Sequence, residues 1–223
     1  IQIGCDPKAD STMNLLGGEL LQPVMNFMRE NDRDPESLEE ISKEGYGGIL
    51  CIETGGPTPG LGCAGRGIIA TFNLLEDLKL FETRKPDVVL YDVLGDVVCG
   101  GFSMPMRSGY ADKVFVITSG ENMAIHAAAN IAMAVEGFKG RGYAQLGGII
   151  LNRRNVKNEE AKVQELAQDI HSSVIATLSR SDTVQEAEEL GKTVVEAFPD
   201  SPMAAEYRNL AKTILEVCGV APC

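Results

Sequence analysis

The chain has 223 residues, of which 44% are hydrophobic and 23% charged, a composition typical of one soluble globular domain with a sizeable core. Its 32 Asp and Glu outnumber its 20 Lys and Arg, and the net charge of −12 argues against general nucleic-acid binding, because phosphate contacts need a basic face. The sequence has no apolar run of about 18 residues, so we expect no membrane-spanning segment.

The six cysteines are spread along the chain. A chain of this size does not need a disulfide framework, so we expect free or metal-bound thiols in a reducing cytoplasm. The first residues, 1–6, predict a strand that enters a loop and not a signal peptide. A cytoplasmic location is therefore predicted.

The first polar cluster follows a strand predicted over Ile1–Ile3. The segment Cys5–Ser11 carries a dense polar set, which consists of Asp6, Lys8, Asp10 and Ser11. In open α/β sheets ligands bind beyond the carboxyl ends of the strands, so a phosphate site is one interpretation. The other is a solvated turn in which Ser11 or Thr12 caps a helix. We predict a helix over Leu15–Glu30 and a short acidic helix over 34–42.

A glycine-rich loop, Thr54–Gly67, follows a second strand predicted over Gly47–Glu53. The loop holds six glycines and two prolines in fourteen residues, so several backbone amides can point at one anionic group. A helix predicted over Ile68–Leu80 places Cys63 just before its N-terminus, where the helix dipole favours a thiolate. The alternative is an inert thiol.

The segment Tyr91–Phe102 combines carboxylates with a cysteine. A strand predicted over 86–92 has a nearly continuous apolar run, which is typical of a buried parallel strand. Asp92 and Asp96 stand at its carboxyl end, where an acid commonly holds Mg²⁺ or orients water at a phosphate. Cys99 follows, before two glycines, which places redox or metal chemistry beside phosphate chemistry.

The rest of the chain alternates strands with helices. Strands are predicted over Lys113–Ser119 and Leu146–Asn152, and helices over Glu121–Phe138, Asn158–His171 and Pro202–Val217, with no repeat and no linker. This alternation predicts one domain over residues 1–223 with a doubly wound, mainly parallel sheet and helices on both faces.

Three motifs together resemble the nitrogenase iron protein family, which includes the reductase components of nitrogenase-like systems. They are Cys5–Ser11 (CDPKADS), Gly60–Gly67 (GLGCAGRG) and Tyr91–Phe102 (YDVLGDVVCGGF). The resemblance extends from Ile1 to about Leu210 and implies a P-loop NTPase fold. It also implies a homodimer with one [4Fe-4S] cluster between the subunits and MgATP in each.

The resemblance also implies roles for individual residues. A four-iron cluster needs four thiolates, and two chains would supply Cys63 and Cys99 twice. Two unrelated thiols, or a redox disulfide between them, are the alternatives. Asp6 would orient the attacking water, and Lys8, Asp10 and Ser11 would respond to the nucleotide in the same loop. Asp92 would lie near Mg²⁺, and Asp96 would couple the nucleotide state to Cys99. Asn152 would contact the adenine. Arg66 would lie on the docking face, where some family members are ADP-ribosylated.

One part of the family pattern is not in this sequence. The phosphate-binding loop, G-K-G-G-I-G-K-S, is expected roughly 30 residues before Ile1. We therefore expect a longer protein with an additional N-terminal βα unit. Without that loop the chain should not hydrolyse ATP, because the amides and the lysine that hold the phosphates are lacking.

The resemblance predicts an ATP-dependent electron donor. It would take an electron from ferredoxin or flavodoxin and pass it to a nitrogenase-type catalytic component, which determines the final substrate. A nitrogenase-like system that reduces a tetrapyrrole or a sulfur compound is the nearest alternative. A partition- or septum-positioning ATPase without a cluster, and a carrier of iron–sulfur units, are the others.

Overall fold

Seven strands form two separate sheets in the part of the chain that the structure describes. The computed structural model describes residues 1–56, 64–95, 100–107 and 109–220. These form two units, the first built from residues 1–56, 64–94, 100–105 and 187–196 and the second from residues 95, 106–107, 109–186 and 197–220. The strands, in chain order, are β1 (Gln2–Cys5), β2 (Ser42–Glu44), β3 (Leu50–Glu53), β4 (Leu90–Val93), β5 (Lys113–Thr118), β6 (Gln145–Asn152) and β7 (Val174–Leu178).

The helices of the described residues alternate with these strands. They are α1 (Val24–Asn31), α2 (Ala64–Asp77), α3 (Leu80–Arg84), α4 (Asn122–Gly137), α5 (Glu159–Asp169), α6 (Asp182–Glu189), α7 (Val194–Ala197) and α8 (Pro202–Val217). Both sheets are mainly parallel and carry helices on both sides, which confirms the predicted α/β class. Among the described residues, no helix combines the length and the apolar character needed to cross a bilayer.

The sheet of the first unit has the strand order β2-β3-β1-β4. β1 pairs in parallel with both β3 and β4, and β2 is antiparallel to β3. Strand β1 is buried at Ile3 and Cys5. On α2, the Phe72 side chain is 1% exposed, and its ring centroid lies 5.5 Å from that of Tyr91 on β4. The first core therefore packs α2 on the central strands.

The sheet of the second unit is fully parallel, with the order β5-β6-β7. Helices α4 and α5 pack on it with their apolar sides. The core that they form consists of Val116, Ala128, Ile149, Leu151, Val163, Leu166 and Ala167. Helix α8 begins at Pro202, and the hydroxyl of Ser201 accepts the Ala204 N–H as its N-cap.

Two predictions for the first unit are wrong. The helix expected over 15–30 is only α1, because Gly17 and Gly18 adopt φ values of +73° and +87° and Pro23 stands at the helix N-cap. The acidic helix expected over 34–42 is a 3-10 turn at Leu38–Glu40. Strand β4 is also less buried than its apolar run predicts, because it pairs with β1 alone in the described sheet, and Leu90 is 51% exposed.

We predict that Phe72→Ala lowers the free energy of unfolding by about 3–5 kcal/mol, because the substitution leaves a cavity under α2. Ile69 lies on the same helix and is 39% exposed, so Ile69→Ala is the matched control and should cost less than about 1 kcal/mol. Urea unfolding followed by circular dichroism measures both values. Equal losses in the two variants would contradict this description of the core.

Candidate functional site

The loop that follows β1 brings its charged residues together in a tight turn. The Lys8 N–H donates to Asp6 Oδ1 at 2.9 Å, and the Ala9 N–H donates to the Asp6 carbonyl at 3.0 Å. The Lys8 ammonium lies 4.0 Å from the Asp6 carboxylate and 3.9 Å from that of Asp10. The Lys8 side chain is 70% exposed, so these ion pairs add little stability and leave the ammonium accessible to an anion.

The structure places Ser11 beside Asp92. The Ser11 hydroxyl donates to Asp92 Oδ2 at 2.7 Å, across 81 residues of sequence. Gln2 Nε2 donates to the same hydroxyl oxygen at 3.0 Å and to the Ser11 carbonyl at 2.9 Å. Two motifs that are far apart in the sequence therefore meet at the carboxyl ends of β1 and β4.

Glu53, which the sequence analysis did not single out, lies under this loop. It ends β3 and is fully buried. Its Oε1 atom accepts the Thr12 N–H at 2.8 Å and the Thr12 hydroxyl at 2.7 Å, while Oε2 has no hydrogen-bond partner among the described residues. Burial raises the pKa of Glu53; the Thr12 hydrogen bonds oppose that shift, and the negative charges of Asp92 and Asp10 add to it.

A signal for Glu53 was present in the sequence. A glutamate in the apolar strand Leu-Cys-Ile-Glu has to be buried with a partner or neutralised, because an isolated buried charge is too costly. The strand also leads directly into the glycine-rich loop. These two features together indicate a functional or positioning carboxyl.

In the second unit, Asn152 is the exposed last residue of β6. A buried carboxylate fixes the backbone beyond it: Glu159 Oε1 accepts the Arg154 N–H at 2.8 Å and the Gly120 N–H at 3.3 Å. A Cβ on Gly120 would lie 2.6 Å from Glu159 Cγ, so this contact requires glycine. Glu159, which was not predicted either, therefore joins the segments that follow β5 and β6.

The described cysteines do not suit a metal cluster. Cys5 and Cys51 are buried, and burial raises the pKa of Cys51 to about 11 and that of Cys5 further. The pKa of the half-buried Cys218 is also raised by burial. A metal binds the thiolate, so the raised pKa values disfavour these three thiols as ligands at neutral pH. No group of three or more His, Cys, Asp and Glu side chains suited to a metal ion occurs in the described part of the chain.

Three predicted site residues, Cys63, Asp96 and Cys99, lie outside the described residues. Two elements that begin next to them are described: α2 starts at position 64, and a 3-10 helix, Gly100–Ser103, starts at position 100. These two elements pack against each other in the first unit. Arg66 lies in the first turn of α2 and is exposed.

Two oxygen groups that Mg²⁺ can take as ligands, the Ser11 hydroxyl and the Asp92 carboxylate, lie within hydrogen-bond distance of each other. The described carboxylates do not form a complete metal site by themselves, so a cation held here would take its other ligands from a phosphate and water. Lys8, close to the carboxylates of Asp6 and Asp10, adds an exposed positive charge in the same loop. This donor set is compatible with a magnesium-bound polyphosphate.

The chain matches one family along nearly its whole length. The family is described as 4Fe-4S iron sulfur cluster binding proteins, NifH/frxC family, and the match covers residues 1–222. A protein named nitrogenase iron protein, from Methanospirillum hungatei, is 48% identical over 217 residues, which are 96% of this chain and 76% of that protein. Nitrogenase iron protein 2 of Methanothermobacter thermautotrophicus is 50% identical over 212 residues, 95% of this chain and 77% of that protein.

Two solved structures with a similar fold are more distant in sequence than these relatives. A ParA family ATPase from Chlorobium tepidum has a TM-score of 0.66 at 15% identity, over 95% of this chain and 83% of that one. The cell division ATPase MinD of Pyrococcus furiosus has a TM-score of 0.67 at 14% identity, over 96% of this chain and 84% of that one. At such identities the likeness concerns the fold alone.

Glu53 should make the stability of the protein depend on pH. Because its pKa is raised in the folded state, the unfolded chain loses this proton first, near the ordinary value of 4.5. The contribution of Glu53 to stability is therefore largest below that pH and falls as the pH rises towards the folded-state pKa. We expect the difference in unfolding free energy between wild type and Glu53→Gln to fall between pH 5 and pH 8.

Glu40→Gln is the matched control for this titration. The Arg33 guanidinium and backbone N–H groups lower the pKa of Glu40 to about 2, so its contribution to stability is present above the ordinary value of 4.5 and is lost only at lower pH. The difference between wild type and Glu40→Gln should therefore stay flat from pH 5 to pH 8. A flat profile for Glu53→Gln as well would contradict the buried, raised-pKa carboxyl.

Proposed function

The chain belongs to the NifH/frxC family of 4Fe-4S iron–sulfur cluster-binding proteins, and on this basis we propose that it is an ATP-dependent electron donor. The observation that carries the proposal is the family match over residues 1–222, with relatives named nitrogenase iron proteins at 48% and 50% identity. The sequence match carries the proposal and the fold does not, because one fold hosts many unrelated functions.

The cluster ligands of this proposal are Cys63 and Cys99. When bound, a [4Fe-4S] cluster supplies one-electron redox chemistry. One chain offers two cysteines for it, so the proposal includes a homodimer in which two copies provide four thiolates around one cluster. The packing of α2 against the 3-10 helix Gly100–Ser103 supports it, because each element begins directly after one of these cysteines. Burial raises the pKa of the three described cysteines above its ordinary value, which disfavours them as ligands.

The nucleotide of this proposal is MgATP, held at the loop after β1. Asp6 would orient water, Lys8 would contact phosphate, and Asp10, Ser11 and Asp92 would lie at the metal. Asn152 would contact the adenine. The hydrogen bond from Ser11 to Asp92 supports a link between the nucleotide loop and β4. From β4 the chain continues through Asp96 to Cys99, which gives a short covalent path from nucleotide to cluster.

The proposed partner is a nitrogenase-type catalytic component, with ferredoxin or flavodoxin as the electron source. Arg66 on α2 would lie on the docking face, where its exposed guanidinium offers a local positive charge on an acidic protein. A nitrogenase-like component that reduces a tetrapyrrole or a sulfur compound is the second candidate partner. The ATPases ParA and MinD share the fold, but their 14–15% identity does not carry their function to this chain.

We predict that Cys63→Ser and Cys99→Ser each abolish iron binding and the visible absorbance of the anaerobically purified protein, because each substitution removes two of the four thiolates from the dimer. Cys218→Ser is the matched control and should retain iron. The Cys218 thiol is partly exposed, but it lies outside both the loop with Cys63 and the segment with Cys99. Iron assay and visible spectroscopy measure both. Full iron content in either loop variant would refute the ligand assignment.

The function itself is tested by chelation of iron with bipyridyl, with and without MgATP, in the complete protein. We expect MgATP to accelerate chelation, because the nucleotide loop and the segment with Cys99 both connect to β4. Electron transfer to a nitrogenase-type component should then require MgATP. Protein that contains no iron, or whose iron is released at one rate in both conditions, would contradict an ATP-dependent electron donor.

A further inference from the structure

Three residues stand side by side across the central strands of the first unit. In the parallel register, Gly4 of β1 pairs with Glu53 of β3 on one side and with Asp92 of β4 on the other. A methyl group built on Gly4 would overlap the Glu53 carboxyl. Because Gly4 has no side chain, the Glu53 carboxyl can occupy the space above it and stay buried. Gly4 belongs to β1, the strand that leads into the nucleotide loop.

The two carboxylates hold two consecutive residues of the chain. Glu53 accepts both the N–H and the hydroxyl of Thr12, and Asp92 accepts the hydroxyl of Ser11. Thr12 is 1% exposed and Glu53 is fully buried, whereas Asp92 is exposed. Water and ions therefore compete for the bond to Asp92 and not for the bonds to Glu53.

The difference in exposure between Asp92 and Glu53 matters when Asp92 binds a cation. A carboxylate that ligates Mg²⁺ gives up part of its capacity to accept a hydrogen bond from Ser11. The bonds from Gln2 to Ser11 and from Thr12 to Glu53 then remain to hold the end of the loop on the sheet. Of these, the bonds to Glu53 are the ones fully removed from water, where hydrogen bonds are strongest.

We propose that Glu53 is a positioning residue for nucleotide binding, which acts through Thr12 to hold the loop of Asp6, Lys8 and Asp10 in its binding conformation. This inference rests on the proposed function, because it assigns a role at the proposed MgATP site. Glu53 itself does not touch the nucleotide. A substitution that removes the Glu53 acceptor oxygen should therefore weaken nucleotide binding. A substitution that keeps an acceptor oxygen at the same place should preserve it.

The test measures the affinity of the complete protein for MgADP by calorimetry, with urea unfolding and iron content as readouts of the fold. Glu53→Ala should weaken MgADP binding by about tenfold or more, because the N–H and the hydroxyl of Thr12 both lose their shared acceptor, Glu53 Oε1. Glu53→Gln should bind within about threefold of wild type, since its amide oxygen can accept from Thr12. A merely structural role would lower stability and leave the affinity of both variants unchanged.

Two further variants test the same contact without changing Glu53. Thr12→Val removes the hydroxyl but keeps the N–H, and should weaken binding less than Glu53→Ala. Gly4→Ala places a methyl group against the carboxyl and should weaken binding as Glu53→Ala does. Gly137→Ala is the matched control, because a Cβ at Gly137 meets no atom within 4 Å, and its affinity should equal that of wild type.

The outcomes separate this inference from the proposed function. If wild type binds no MgADP, the proposed function fails. If wild type binds MgADP and Glu53→Ala binds equally well, or Glu53→Gln is as weak as Glu53→Ala, the inference alone is overturned. Should Glu53→Ala not fold, Thr12→Val and Gly4→Ala decide: weakened binding supports the role of Glu53, and wild-type binding in both rejects it.

Discussion

The central position of β1 is the constraint on which the candidate nucleotide site depends. Because β1 pairs in parallel with both β3 and β4, the carboxyl ends of three strands meet at one edge of the first sheet. That arrangement brings Ser11 within hydrogen-bond distance of Asp92, and Thr12 within hydrogen-bond distance of Glu53. Neither the Ser11–Asp92 bond nor the Glu53–Thr12 bonds could form if the register of either neighbouring strand shifted by one residue.

The sequence allowed the fold class to be predicted because its signals are local and repeated. Apolar runs that end in polar loops predicted β5 and β6, and α8 occurs at its predicted bounds. The helix predicted over Leu15–Glu30 is wrong in its first half, where the segment contains two adjacent glycines and then Pro23. The left-handed backbone at Gly17 and Gly18 excludes a continuous helix there.

The candidate site was only partly predictable. Ser11 and Asp92 were expected in one site through a family resemblance, and their contact is now a direct observation. Glu53 and Glu159 were missed because their importance depends on tertiary contacts: each buried carboxyl packs against a glycine that is distant in sequence, Gly4 in one case and Gly120 in the other. No periodic pattern in the sequence predicts a contact between a buried glutamate and a distant glycine.

The contact between Gly4 and Glu53 has an evolutionary consequence. The two positions share one volume, so a side chain at position 4 is tolerated only together with a shorter residue at position 53. A descendant that acquires alanine at position 4 would first have to shorten the residue at position 53, and would then need a new acceptor for Thr12. Mutational paths through this part of the sheet are therefore ordered, and we expect the pair to be inherited as one unit.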